Sequence, residues 1–220
     1  MRARALLVTA TLLASGLGAT AADAATKKKP APVCNMVKDG TGDINNDLEG
    51  APVFPADQGL DIVGGDVASN TKNITAVIRL AAAPGQATIY VKRYIAEFKV
   101  AGLANPMVLA AAVSATGTTY SFGWVGNTTT GSGYTYSSTA VTGTIVDKVI
   151  TITAPLATVA GQAELGAVKK GAKVSGLRIT ANRRLPAVTQ APGIVYPADE
   201  GIGKGTYYAG NPSCVKVPAT

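Results

Sequence analysis

An acidic loop near the start of the chain holds the residues whose types and spacing best suit chemistry. Oxygen-bearing side chains recur there at almost every second position, in the run Asp39-Gly-Thr-Gly-Asp43-Ile-Asn45-Asn46-Asp47. Ca²⁺ prefers about six to eight oxygen ligands, which such a loop supplies from carboxylates, amides and backbone carbonyls. The loop is not an EF-hand, because that motif needs glycine and glutamate where this chain has Ile44 and Gly50. The alternative is a solvated turn without metal, since Asp, Asn and Gly also favour turns.

The two cysteines lie near opposite ends of the chain. Cys34 opens the part that we expect to be ordered, and Cys214 nearly ends it. Because cysteines of exported proteins usually pair, we predict a disulfide that joins the two ends of the domain. Two free thiols are the alternative. The bridge would also bring Asp199 back towards the residues that follow Cys34.

Further acidic residues extend the metal prediction. Seven acids and no Lys or Arg occur between positions 39 and 66, although the whole chain carries a net charge of +7. Asp61 opens a predicted strand, where its side chain points opposite to those of Leu60 and Ile62 and needs a polar partner if it is covered. The predicted cofactor is Ca²⁺, and its predicted ligands are Asp39, Asp43, Asn45, Asp47, Asp61 and Asp199.

Aromatic residues in the middle of the chain form the candidate ligand face. Tyr120, Phe122 and Trp124 share one face of a predicted strand, and Tyr134 and Tyr136 share one face of the next. Aromatic faces stack on sugar rings, but a stripe at period two is also typical of a sandwich core. The residues predicted to bind a ligand are Tyr120, Trp124, Tyr134 and Tyr136.

The chain contains no histidine. This excludes Ser-His-Asp and Cys-His catalysis and zinc sites with imidazole ligands. Few carboxylates remain outside the acidic segment, so we predict no catalytic residues and no enzyme activity. The basic residues form no dense patch interleaved with aromatics, and nucleic-acid binding is not expected.

The N-terminus has the features of a secretory leader. Charged residues at Arg2 and Arg4 precede an apolar stretch and the small-x-small pattern Ala22-Asp23-Ala24, which predicts a signal peptide over residues 1–24. Residues 25–33 form a basic, proline-containing tether, whose role is solubility or contact with anionic cell-wall polymers. Residues 34–220 would form one secreted domain, with no transmembrane segment after removal of the leader.

Short apolar or alternating runs separated by Gly and Pro predict an all-β fold. The predicted strands cover residues 74–80, 87–100, 108–114, 118–125, 141–146, 149–153 and 173–181. The longest is expected to bend or bulge near its middle. Residues 147–148 predict a tight hairpin, and residues 160–170 a loop or short helix. We therefore expect an antiparallel β-sandwich of about eight to ten strands with Greek-key or jelly-roll connections.

Two segments resemble a known group of exported domains. Asp39-Gly-Thr-Gly-Asp43, followed by Leu60-Asp61-Ile62-Val63-Gly-Gly-Asp66, is similar to the opening of DOMON-like domains and family-nine carbohydrate-binding modules. The closing run Gly205-Thr-Tyr-Tyr-Ala-Gly-Asn-Pro-Ser-Cys214 also resembles mostly uncharacterised exported bacterial proteins of this type. The resemblance implies a β-sandwich with Ca²⁺ near Asp39, Asp43 and Asp61.

These features predict a secreted, non-catalytic binding module with a structural Ca²⁺ site. The expected partner is an extracellular polysaccharide or cell-wall polymer. The alternative is a structural or protein-interaction component of the cell envelope without a small ligand.

Overall fold

The computed structural model describes residues 29–46, 54, 56–86, 89–128, 131–185 and 195–219. The predicted signal peptide, residues 25–28 of the predicted tether and Asp47 lie outside these ranges. None of the described helices is long and apolar enough to span a membrane.

The described residues are almost all β. In chain order the elements are β1 (Val37–Lys38), a 3-10 helix (Gln58–Leu60), β2 (Ile62–Ser69), β3 (Asn73–Leu80), β4 (Val91–Val100), β5 (Met107–Ser114), β6 (Gly117–Thr128), β7 (Gly131–Ser137), β8 (Thr142–Val146), β9 (Val149–Pro155), α1 (Leu156–Ala160), β10 (Lys173–Arg184), β11 (Val195–Ile202) and β12 (Thr206–Tyr208).

The strands form two antiparallel sheets that pack together, which confirms the predicted sandwich. One sheet has the order β1-β2-β3-β9-β8. The other has the order β11-β10-β4-β5-β6-β7, and β12 also pairs with β10. The chain passes between the sheets after β3, after β7 and after β9, so that consecutive strands such as β3 and β4 lie in different layers.

A single apolar cluster fills the space between the two sheets. In β4 the alternation directs Tyr94, Ala96 and Phe98 inward, as the sequence pattern predicts. In β3 and β9 the fully buried Ile78 and Ile152 face the same core. Burial of this apolar surface is the main force that holds the two layers together.

The hairpin between β8 and β9 turns at Asp147 and Lys148, where the sequence predicts it. Asp147 has φ 52°, and aspartate is among the few residues that accept this left-handed conformation. Of the two predictions for residues 160–170, a loop or a short helix, the structure shows the loop after residue 160. The helix ends at Ala160, because the residues that follow include Gly161 and Gly166, and the latter has φ 87°.

The longest predicted strand corresponds to β4, and the bulge expected in it lies in the neighbouring strand β10. β4 pairs with β5 without a register shift from Lys92 to Phe98. The shift falls in β10, between Ser175 and Arg178, where Gly176 has φ 62°. Glycine adopts this conformation without the strain that a side chain would add, so the neighbouring strand takes the extra residue.

The disulfide between Cys34 and Cys214 is formed, as predicted. The two Cα atoms are 5.2 Å apart, within the range that a disulfide allows. Val33 forms a parallel bridge with Ser213, and the Cys214 amide donates to the Val33 carbonyl. The bridge therefore ties the entry of the domain to its last residues.

Candidate functional site

Two β-bulges hold the acidic loop in place. In β2 the pairing moves from Ile62–Leu80 to Gly64–Arg79, so that Val63 is the extra residue. In β11 the pairing moves from Asp199–Ala181 to Pro197–Asn182, so that Ala198 is the extra residue. Bulged residues leave the ladder and expose their backbone groups.

Both exposed carbonyls accept hydrogen bonds from the acidic loop. The Asp39 amide donates to Val63 O at 3.4 Å, and the Asn45 amide donates to Ala198 O at 2.7 Å. The loop from residue 39 to residue 45 is thus fixed at both ends, one end on each sheet. The bulge at Ala198 also sets the direction of Asp199 next to it.

Three carboxylates meet at this point. One oxygen each from Asp39, Asp43 and Asp199 lies within 4.8 Å of the others. Asp39 and Asp199 are half-buried and Asp43 is exposed. Three oxygens at this spacing could hold a single metal ion, and a hard cation would take its remaining ligands from water or backbone.

Burial and neighbouring negative charges raise the pKa values of two of these carboxylates. Burial raises the pKa of Asp199 to about 6, and the charges of Asp43 and Asp39 add to the effect. Amide hydrogen bonds from Ile62 and Glu200 act in the opposite direction. Burial likewise raises the pKa of Asp39, with further contributions from its acidic neighbours Asp43 and Asp61. A bound cation would remove this repulsion.

Asp61 supplies a fourth carboxylate directly beneath the loop. It is fully buried, and its Oδ2 accepts from the Gly42 amide at 2.6 Å, while its Oδ1 has no hydrogen-bond partner. Gly42 has φ 85°, so glycine is required for this contact. Asp39 Oδ2 is also buried without a partner. Unpaired buried carboxylate oxygens are costly, and a cation bound at the acidic cluster would offset part of that cost.

The Asp39 side chain also lies close to the backbone of β11. A Cβ atom at Gly201 would lie 3.0 Å from Asp39 Oδ2 and 2.7 Å from a methyl carbon of Val37. Only glycine at this position allows β11 to approach the loop so closely.

Asn45 takes part through its backbone. Besides its amide bond to Ala198, its carbonyl accepts from Arg183 Nη1 at 3.0 Å, and Arg183 Nη2 donates to Asn46 Oδ1 at 2.6 Å. Arg183 is fully buried and its guanidinium stacks on the Phe54 ring at 4.9 Å. Sequence reasoning missed this residue, although its position in phase with Ile179 and Ala181 indicates that it points inward.

The rest of the acidic segment serves other purposes. Asp66 forms an ion pair with Arg79 at 2.7 Å and accepts from the Met36 amide. Burial raises the pKa of Asp57, but hydrogen bonds from Lys92 and Tyr90 outweigh it and the net pKa is lowered. The acidic run is therefore not a single site: part of it neutralises buried cations.

The four predicted ligand-binding aromatics lie on opposite faces of the second sheet. Trp124 is 9% exposed and belongs to the core between the sheets, and Tyr120 packs against that core. Tyr134 and Tyr136 lie on the outer face, where their rings are 5.9 Å apart at an angle of 48°. The four residues therefore do not form one platform, because β6 directs its alternate side chains inward.

The outer pair is held by charged neighbours. The Tyr134 hydroxyl donates to Glu97 at 2.9 Å, and Arg93 lies 4.9 Å from the centre of the Tyr136 ring. Burial and the nearby Glu97 raise the pKa of Tyr134 to about 12, so that the hydroxyl stays protonated at neutral pH. Tyr136 packs on a small apolar cluster that includes Ile95 and Val108.

Comparisons of the chain with protein-family models, with curated proteins and with solved structures found no match. The resemblance to the DOMON-like group and to family-nine carbohydrate-binding modules stays a prediction.

Proposed function

We propose that this protein is an exported, non-catalytic binding module whose acidic loop holds one Ca²⁺ ion. The observation that carries the proposal is the meeting of Asp39, Asp43 and Asp199 within 4.8 Å, at a loop whose Gly42 amide donates to the buried Asp61. The disulfide between the chain ends supports export, because such bonds persist in oxidising compartments.

The cation has a structural role in this proposal. Asp39 and Asp43 follow β1 near the start of the domain, whereas Asp199 lies in β11 near its end. An ion bound by all three would connect the acidic loop to the opposite sheet, in addition to the backbone bonds to Val63 and Ala198 and the Gly42 amide bond to Asp61. Ca²⁺ suits the site better than Mg²⁺, because it accepts irregular oxygen coordination.

The test is calorimetric titration of the metal-free mature domain with Ca²⁺ and with Mg²⁺. We expect one Ca²⁺ per molecule and much weaker binding in an Asp43→Asn variant. Wild-type protein that releases no heat and shows no Ca²⁺-dependent change in stability would leave the loop as a solvated turn.

We propose a neutral polysaccharide as the ligand of the outer sheet face. Tyr134 and Tyr136 offer two rings for stacking, and the neighbouring Glu97 and Arg93 offer hydrogen bonds to sugar hydroxyls. The rings are tilted, so the contact would follow a bent chain and not a flat crystalline surface.

Retention on insoluble polysaccharides and on purified cell walls tests this ligand. The variant Tyr134→Ala/Tyr136→Ala should lose retention, while Tyr208→Ala, which removes another exposed tyrosine, should keep it. The second candidate, an envelope component without a small ligand, is favoured by the burial of Trp124. Lack of retention of the wild type on every polysaccharide would support that candidate.

A further inference from the structure

A second concave surface lies far from the acidic loop. β2 begins beside Asp61 and ends at Ser69, and the groove opens beside this far end. Its volume is about 610 Å³, within the usual size of ligand sites. The walls are the turn after β2, the loop that precedes β10 and the segment that follows β12.

The charge of this groove is entirely positive. Lys29, Lys169 and Lys170 line it, and no acidic side chain does so among the residues that the structure describes. The ion pairs between described residues are Arg79–Asp66, Lys92–Asp57 and Arg178–Glu200, so none of them neutralises a groove lysine.

The disulfide explains how distant lysines meet here. The Val33 amide donates to Pro212 O, and the Cys214 amide donates to Val33 O, both at 3.2 Å. The chain that leads into the domain is thus held along the wall formed by residues 209–212. Lys29, which precedes this attachment, therefore lines the same groove as Lys169 and Lys170.

The uncharged residues that line the groove favour a sugar or polyol chain over a nucleic acid as its ligand. Thr71 and Asn211 can bond hydroxyl groups, and the half-buried Leu156 and Val168 offer an apolar surface to the CH face of a sugar ring. No aromatic side chain is among the described residues that line the groove, whereas proteins that bind single-stranded nucleic acid stack the bases on aromatic rings.

We propose that this groove binds an acidic glycopolymer, meaning a sugar or polyol chain with repeated phosphodiester or carboxylate groups. The lysines neutralise successive anionic groups, and the polar and apolar wall residues contact the chain between them. The site is separate from the Ca²⁺ site and from the Tyr134–Tyr136 face, and it does not depend on either.

Affinity measurements with the mature chain test the proposal. The probes are soluble poly(glycerol phosphate), polygalacturonate, neutral dextran and a single-stranded DNA oligonucleotide. We expect binding of at least one of the first two, no binding of dextran and weaker binding of DNA. Preference between the two acidic polymers identifies phosphodiester or carboxylate as the anionic group.

Matched variants locate the contact. Lys169→Ala/Lys170→Ala should weaken polymer binding about tenfold at low salt and lower the salt dependence of affinity, because two anionic groups lose their partners. Lys38→Ala/Lys148→Ala removes the same charge from exposed positions outside the groove and should change affinity less than about twofold. The melting temperature of both variants should match that of the wild type.

Three results would overturn the inference. Equal losses in the two lysine pairs would mean attraction by overall charge alone. DNA binding as tight as polymer binding would assign the groove to nucleic acid. Absence of binding to both acidic polymers would leave the groove without its proposed ligand.

A last comparison separates this site from the cation site. Polymer affinity should be the same in EDTA as in Ca²⁺ at a temperature where circular dichroism shows the protein folded in both. Affinity that disappears in EDTA would also contradict the proposal, because the anionic groups would then contact bound Ca²⁺ and not lysine. Failure of Ca²⁺ binding itself would leave the groove untouched.

Discussion

Replacing Asp43 with asparagine should change the stability of the mature domain in opposite directions with and without Ca²⁺. In the metal-free protein the carboxylates of Asp39, Asp43 and Asp199 repel one another within 4.8 Å. The variant removes one charge from this group and keeps the size of the side chain. In Ca²⁺ the same variant loses a ligand.

The size of the repulsion follows from the distance. Two unit charges 4.8 Å apart repel by about 1 kcal/mol in water and about 3.5 kcal/mol at the effective dielectric constant of a protein surface. Asp43 is exposed, so the lower value applies to each of its two pairs, and Asp43→Asn should stabilise the metal-free domain by roughly 1–2 kcal/mol. For a domain of this length that is about 2–8 °C in the melting temperature.

In Ca²⁺ the wild type should become more stable than Asp43→Asn. At a concentration one hundred times its dissociation constant, a ligand stabilises the folded state by about 2.7 kcal/mol, which corresponds to about 5–10 °C here. The wild type should gain this increment and Asp43→Asn should gain little of it.

Thermal unfolding in EDTA and in millimolar Ca²⁺ gives the melting temperatures of the wild type and of Asp43→Asn with and without the ion. The matched control is Asp147→Asn, which makes the same chemical change in the exposed β8–β9 turn, where asparagine tolerates the φ of 52°. Its melting temperature should respond to Ca²⁺ as the wild type does. A lower melting temperature of Asp43→Asn in EDTA, or an equal Ca²⁺ response of the variant and the wild type, would refute the reasoning.

Three further outcomes are expected. Cys34→Ser/Cys214→Ser should lower the free energy of unfolding by about 3–5 kcal/mol in urea titrations, because the disulfide closes a loop with a sequence separation of 180; an unchanged midpoint would contradict this. Gly201→Ala should weaken Ca²⁺ binding in calorimetry, since its methyl group would press on Asp39. The pKa of Asp199 is raised to about 6 in the folded protein and returns to its ordinary value on unfolding. The folded state therefore binds more protons between pH 4 and pH 6, and the metal-free domain should lose about 1–2 kcal/mol of stability as pH rises through this range. The corresponding slope of urea unfolding against pH should become smaller in Asp199→Asn, in which only the contribution of Asp39 to the loss remains.

Local patterns in the sequence predicted most strands correctly. The run from Ile74 to Leu80 and the alternation around Tyr94 and Phe98 carry their periodicity in consecutive residues, so no tertiary information is needed. The predicted ends of the strands were less accurate than their positions. The sequence leaves two interpretations of Trp124, a ligand face or the core, and its burial depends on which side of β6 faces the other sheet. Alternation shows that two faces exist, but it does not show which one is covered.

In the acidic site, too, local sequence predicts the candidate residues but not whether they come together. Residue type, spacing and the expected disulfide are enough to predict Asp39, Asp43, Asp61 and Asp199 as candidate ligands. Whether they meet depends on the bulges at Val63 and Ala198, which no local pattern marks. Asp57 and Asp66 belong to the same acidic run but pair with cations of β4 and β3, because strand order brings those partners to them.

Residue types and short-range periodicity are enough to predict the all-β composition, the disulfide partners and the residues able to bind a hard cation. The packed fold is needed to show which carboxylates converge, which aromatic rings face outward and that Lys29 meets Lys169 and Lys170 in one groove. These contacts join residues far apart in the chain. Their distances are set by sheet order, register and bulges, which depend on packing of the whole domain.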